Sequence, residues 1–156
     1  MSSPPPYLTI DRKKWSEIQT DEVLASHVRS LMPGHLSDVL SSDQHTVKPW
    51  FAGKLDFSPP VVDLKDQGFP LVGGRLDYVE NRPIAALAYL SGQHVINLFV
   101  WPSMASADTG EAFVGRQGYN ALSWTRDHTN FWAVSDLNAT ELRRFVQLVQ
   151  DRSRGG

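Results

Sequence analysis

The sequence predicts an α+β fold: an antiparallel sheet of about five strands with an N-terminal and a C-terminal helix packed on one face. Two patterns carry that expectation. From Phe69 to Trp101, apolar runs alternate with a period of two and are broken only by short polar turns. Near the C-terminus, Asn138 stands three residues before Glu141, at the head of the stripe Leu142, Phe145, Val146 and Val149. This is the pattern of a capped amphipathic helix.

Taken in chain order, residues 1–19 open on Ser2-Ser3-Pro4-Pro5-Pro6, a stiff polyproline-like lead that reads as a tether. Residues 20–152 read as a single domain. From Asp21, a candidate N-cap, the residues Val23, Leu24, His27, Val28 and Leu31 recur at helical spacing until Pro33-Gly34. Residues 35–60 are polar and aromatic, interrupted by Pro49, Gly53, Pro59 and Pro60. They predict an ordered but irregular segment with a short turn near 36–40. In the next run Val72, Gly74, Leu76 and Tyr78 share one face, with Leu71, Gly73, Arg75 and Asp77 on the other. Turns at Glu80-Asn81-Arg82 and Ser91-Gly92-Gln93 lead into 84–90 and 94–101, completing a three-stranded meander. Residues 103–117 are small and polar and predict a long mobile loop. A second hairpin, 119–125 with 130–135, turns at Arg126-Asp127-His128-Thr129. In the last helix Leu137 is placed to staple onto Leu142, and Arg152 and Arg154 suit the negative helix end.

Composition narrows the function. The 156 residues are 41% hydrophobic and 10% aromatic, as in a globular protein. The net charge is −2, and Arg12-Lys13-Lys14 is the lone basic triplet, so no basic face for nucleic acid is expected. The absence of cysteine excludes disulfides, thiol nucleophiles and Cys-type zinc sites. No apolar run approaches the roughly 20 residues needed to span a bilayer, and no signal-peptide pattern follows Met1. A place outside the cytoplasm therefore requires an anchor or export signal beyond this chain.

Catalysis finds little support. No Gly-x-Ser-x-Gly elbow is present, and Ser41, Ser42, Asp43 and His45 read as ordinary turn chemistry. Gly73-Gly74-Arg75 lacks the Lys-Ser/Thr of a phosphate loop and lies inside a strand, where glycines mark a bulge or a close packing partner. The expectation is a non-enzyme without a cofactor. Of the five histidines, His27, His35 and His45 are the candidate metal set, set against ordinary hydrogen-bonded roles. For ligand or partner binding, His45, Lys48 and Trp50 lie in the irregular segment, with Arg75 and His94 on nearby strands. These five are expected around one shared cleft. The competing expectation is that Trp50 and Phe51 simply close an open face of the sheet.

Several long blocks resemble a known family. They are Ala25-Ser26-His27-Val28-Arg29-Ser30-Leu31; Ser42-Asp43-Gln44-His45-Thr46-Val47-Lys48-Pro49-Trp50-Phe51; residues 68–76, GFPLVGGRL; residues 94–102, HVINLFVWP; and residues 131–137, FWAVSDL. Together they resemble the extracytoplasmic region of proteobacterial transmembrane anti-sigma factors, often labelled transmembrane transcriptional regulators. The resemblance covers about residues 21–150. It implies a periplasmic sensor domain of a single-pass inner-membrane protein, joined by its spanning helix to a cytoplasmic domain that holds an extracytoplasmic-function sigma factor. That cytoplasmic domain often carries a His-x-x-x-Cys-x-x-Cys zinc motif. This chain has neither that motif nor the spanning helix, so it reads as an ectodomain cut from a longer protein. Its own partner is then a periplasmic protein or a small-molecule signal, and the sigma factor is reached only through the missing part. The alternative, on the His and aromatic segment, is a periplasmic small-ligand or metal-binding protein.

Overall fold

Period-two alternation produces strands where it was expected, and more of them. The computed structural model describes residues 12–32, 34–41, 43–104 and 107–154. The strands are β1 (Val39–Leu40), β2 (Leu71–Val79), β3 (Arg82–Ser91), β4 (His94–Pro102), β5 (Thr109–Arg116), β6 (Tyr119–Arg126) and β7 (Thr129–Ser135). They form one sheet in the order β1-β2-β3-β4-β7-β6-β5, and every neighbouring pair is antiparallel. Two three-stranded meanders thus meet at the β4–β7 seam, where Phe99 pairs with Trp132 and Val100 with Phe131. Two-residue turns tighten three of the hairpins, with positive φ at Glu80 and Asn81, Gln117 and Gly118, and Asp127 and His128.

The sheet has seven strands rather than about five, and both additions came from segments read as irregular. Residues 103–117 were expected as a loop, but β5 runs through them. As the outer strand it pairs only with β6 and is mostly exposed, so no buried face imposed an alternating pattern. Its Phe113 is half-exposed, with the Arg143 guanidinium 5.0 Å from the ring centroid. Residues 35–60 contain β1 and a helix, α2 (Gln44–Ala52). Pro49 was read as a breaker, yet it sits inside α2. The helix is started by Asp43, whose carboxylate accepts the His45 N–H at 2.8 Å, and is held by Val47 and Phe51, buried one turn apart.

The other helices are α1 (Arg12–Ser30) and α3 (Ala139–Arg154). Asp21 lies within α1 and does not cap it, and the helix ends before Gly34; Pro33 and the proline lead lie outside the described residues. The cap of α3 is as the sequence implies: the Asn138 side chain accepts the Glu141 N–H at 2.9 Å, and Leu137 and Leu142 are buried in one cluster.

The terminal helices do not share a face. Leu142, Phe145, Val146 and Val149 of α3 pack, with α2, against Leu87, Tyr89, Leu98 and Leu122. Val23 and Leu24 of α1 pack on the reverse side against Ile84, Ala86, Phe99 and Trp132. The reason lies in the central strands. Every residue of β3 from Ile84 to Tyr89 is fully buried, and a strand that is apolar on both sides needs cover on both. The two cores also absorb the aromatic residues. Trp101, Trp124, Phe131 and Trp132 are all buried, and Phe131 and Trp132 enter opposite cores as adjacent strand residues must.

Candidate functional site

Helix α1 meets the sheet through polar side chains as well as through Val23 and Leu24. Thr20, Ser26, His27 and Ser30 are buried, whereas Val28, Leu31 and Met32 are exposed. The helical spacing of Val28 and Leu31 therefore did not mark the buried stripe. The cause is Arg75, which projects from β2 beneath the helix and is 5% exposed. An arginine there must be given acceptors, and the facing turns of α1 supply hydroxyls and carbonyls.

The contacts close into one network. Arg75 Nη1 donates to Asn97 Oδ1 at 2.7 Å and to the Leu36 carbonyl at 3.2 Å. Arg75 Nη2 donates to Ser26 Oγ at 2.9 Å, and the Ser26 hydroxyl donates to Asp77. Asp77 Oδ2 lies 3.6 Å from Arg75 Nε, and Arg29 reaches the other carboxylate oxygen at 3.4 Å. The guanidinium also lies 5.6 Å from the Phe99 ring centroid. Asn97 Nδ2 contacts His27 Nδ1 at 2.7 Å and donates to Ser30 Oγ at 2.8 Å; Ser30 Oγ in turn donates to the His27 carbonyl at 2.6 Å. Protonation states follow from these partners. Arg75 can only donate, so Asn97 turns its oxygen to Arg75 and its amide to His27. Nδ1 of His27 must then accept, and the ring is neutral with its hydrogen on Nε2.

The electrostatics agree. His27 is pushed down from 6.5 to about 4, first by burial and then by the Arg75 charge, with Asp136 opposing. Burial draws the Arg75 guanidinium below its ordinary value, and Asp77 resists that. Because the unfolded chain binds a proton on this histidine near pH 6.5 and the folded one does not until about pH 4, stability must fall as pH drops through that window. A shift of this size corresponds to about 3 kcal/mol. Urea unfolding of the wild type and of His27→Gln across pH 7 to 4 will check this: the wild type should lose the larger amount, and the difference should level off below about pH 4.

The expected five-residue cleft divides into three places. His45 and Lys48 line a cavity of about 470 Å³ between α2 and residues 58–61. Trp50 is half-buried against the α2-side core, edge-to-face with Phe51 at 5.1 Å, with Lys54 Nζ 5.8 Å from its ring centroid. Arg75 lies on the α1 side of the sheet, opposite Trp50, and so takes no part. His94 sits at the start of β4 with Nδ1 2.8 Å from Asp136 and is not among the residues lining the α2 cavity. The shared cleft is therefore wrong, because Arg75 is committed to α1. The competing idea holds for Phe51, which seals the sheet over Gly74, while Lys48 remains in solvent.

The metal set fails similarly. His27 is buried under α1, His35 lines a polar cavity of about 200 Å³ beside Arg75 and Asp38, and His45 lies on the far side of the sheet. Among the described residues no three histidines, aspartates or glutamates converge on a metal position. What sequence reasoning missed was Asn97. A lone amide within the apolar run of β4, on the face shared with Phe99 and Trp101, is the signal that a buried polar group awaits there.

No protein-family profile matches the chain, and no curated protein matches it. Among solved structures it is similar to a chain in the MucA/MucB complex of Pseudomonas aeruginosa, at 21% identity and a TM-score of 0.39. That likeness covers 57% of this chain and 31% of the neighbour's, so this chain spans about a third of it. A likeness of that degree says nothing about function.

Proposed function

We propose that this chain is a non-catalytic, extracytoplasmic sensing and interaction domain of a membrane-anchored anti-sigma factor. It acts on an extracytoplasmic-function sigma factor only through a cytoplasmic part outside this chain. The family reading rests on the sequence blocks that carry the resemblance. The observation that favours a sensing role is where three of those blocks meet: residues 25–31 supply Ser26, His27 and Ser30, residues 68–76 supply Arg75, and residues 94–102 supply Asn97. They fasten α1, the described element nearest the N-terminal side, where the resemblance places the membrane. In this reading a signal acts by loosening α1 from the sheet. The hydrogen bonds that hold α1 converge on Arg75 and Asn97, so a signal that breaks this one network acts on the attachment of the helix, which suits that role.

No described helix is long and apolar enough to cross a membrane, and the periplasmic location is part of the proposal. The direct check is co-expression of this chain alone with the sigma factor. No stoichiometric complex is expected, and its recovery would remove the reading.

A second reading, a small-ligand protein, is favoured by the α2 cavity, whose volume is in the range of small-molecule sites. Calorimetric titration with zinc or copper, on wild type and His45→Ala, tests the metal form of it. No heat, or the same heat from both proteins, removes that form.

A further inference from the structure

The α2 cavity is one end of a longer groove. A second cavity of about 300 Å³ shares Lys48 and Val61 with it and runs on to Pro60 and Ser153. A third, of about 190 Å³, shares Pro60 and Ser153 with the second and ends on Trp124 and Phe131. These two aromatic residues form a cross-strand pair, stacked at 4.9 Å with 5° between their planes. The three cavities, linked by shared lining residues, form a continuous groove from α2 past the end of α3 to the Trp124–Phe131 pair.

Three features of the wall say what it would take. Ser153 Oγ, at the junction of the second and third cavities, is buried without a hydrogen-bond partner among the described residues. A buried hydroxyl in that state calls for a polar group from an occupant. The wall mixes apolar with polar residues, which suits a chain carrying amides better than a hydrocarbon tail. Charge sets the polarity: Lys48, where the first two cavities meet, has no ion pair among the described residues, and with Arg152 it outnumbers the one carboxylate of that lining, Asp63. At the other end Arg126 adjoins Asp127, so the net positive charge is at the Lys48 end.

We infer that this groove binds an extended peptide segment of a partner protein, with an acidic residue at Lys48, a backbone amide on Ser153 and an apolar side chain over Trp124 and Phe131. The inference builds on the α2 cavity of the second reading and does not depend on the anti-sigma assignment; failure of the metal titration leaves it standing.

Selection from a library of random peptides about 12 residues long, against the whole chain, tests it. The selected sequences should be enriched in Asp and Glu over the starting library. Lys48→Glu should turn that preference towards Lys and Arg, and Ser153→Leu should weaken a selected peptide by about tenfold. Lys48 is exposed, and an unchanged urea midpoint will show that each variant is folded. No enrichment, enrichment without acidic bias, or binding indifferent to both substitutions overturns the inference. So does binding of phosphatidylglycerol vesicles that both substitutions abolish while no peptide is selected, which would make the groove a lipid site.

Discussion

Arg75→Ala is expected to destabilise the domain by about 3–5 kcal/mol, the range for removing one partner of a buried charge network. The loss is not that of one salt bridge. Truncation leaves Asn97 Oδ1, the Leu36 carbonyl and Ser26 Oγ without their donor, and leaves Asp77 with the more exposed Arg29 as its guanidinium partner. It also removes the stem packed on Phe99. Arg75→Lys should recover only part, because an ammonium cannot reach Asn97 and Ser26 together in the geometry of a planar fork. Urea unfolding measures both. An Arg75→Ala loss below about 1 kcal/mol would mean that the network contributes no more than a surface pair.

Gly73→Ala should cost about 3 kcal/mol, near the upper end for forced overpacking. A Cβ at this position would lie 2.1 Å from the Val39 carbonyl oxygen, 2.9 Å from Ser37 Oγ and 3.1 Å from Leu40 Cα. The first and last of these are backbone atoms of β1 and its pairing with Gly73 and Gly74, so no rotamer change relieves the clash. The short strand must leave β2, and with it go the Asp38 N–H bond to Gly74 and the Ser41 N–H bond to Val72. Gly74→Ala presses instead on the Phe51 ring at 2.7 Å and should loosen α2. Gly110→Ala is the control: its Cβ meets nothing within 4 Å, and a change within about 0.5 kcal/mol is expected. Equal midpoints for Gly73→Ala and Gly110→Ala would show that β1 yields without cost.

These two sites also mark how far the sequence could be read. The glycine pair inside an alternating run announced a bulge or a close neighbour, and both are present: the β2–β3 register shifts between Leu71 and Gly73, β1 crowds Gly73 and the Phe51 ring crowds Gly74. The α3 helix was legible because cap, staple and stripe are local. The meander at 71–101 was legible because its turns are short. What was not legible depended on partners far away in sequence. α2 was obscured by Pro49, since its stability comes from Val47 and Phe51 reaching the sheet. β5 was obscured because an outer strand needs no apolar face. Arg75 was singled out on its strand but grouped with His45, Lys48 and Trp50, which lie on the other side of the sheet. Neither Ser26 nor Ser30 of α1 carries a pattern that points to β2, and only Asn97, polar inside an apolar run, hinted at a buried polar contact.

The central claim is that α1 conveys the signal through its polar dock. The most direct test places Arg75→Lys in the full-length, membrane-anchored protein and reads a sigma-dependent transcriptional reporter without inducer, at matched protein levels. Amide hydrogen exchange on the isolated domain establishes first that α1 has loosened while β3 and β4 stay protected. The account predicts that reporter output rises above wild type. Unchanged output from a protein whose α1 demonstrably exchanges faster would contradict it.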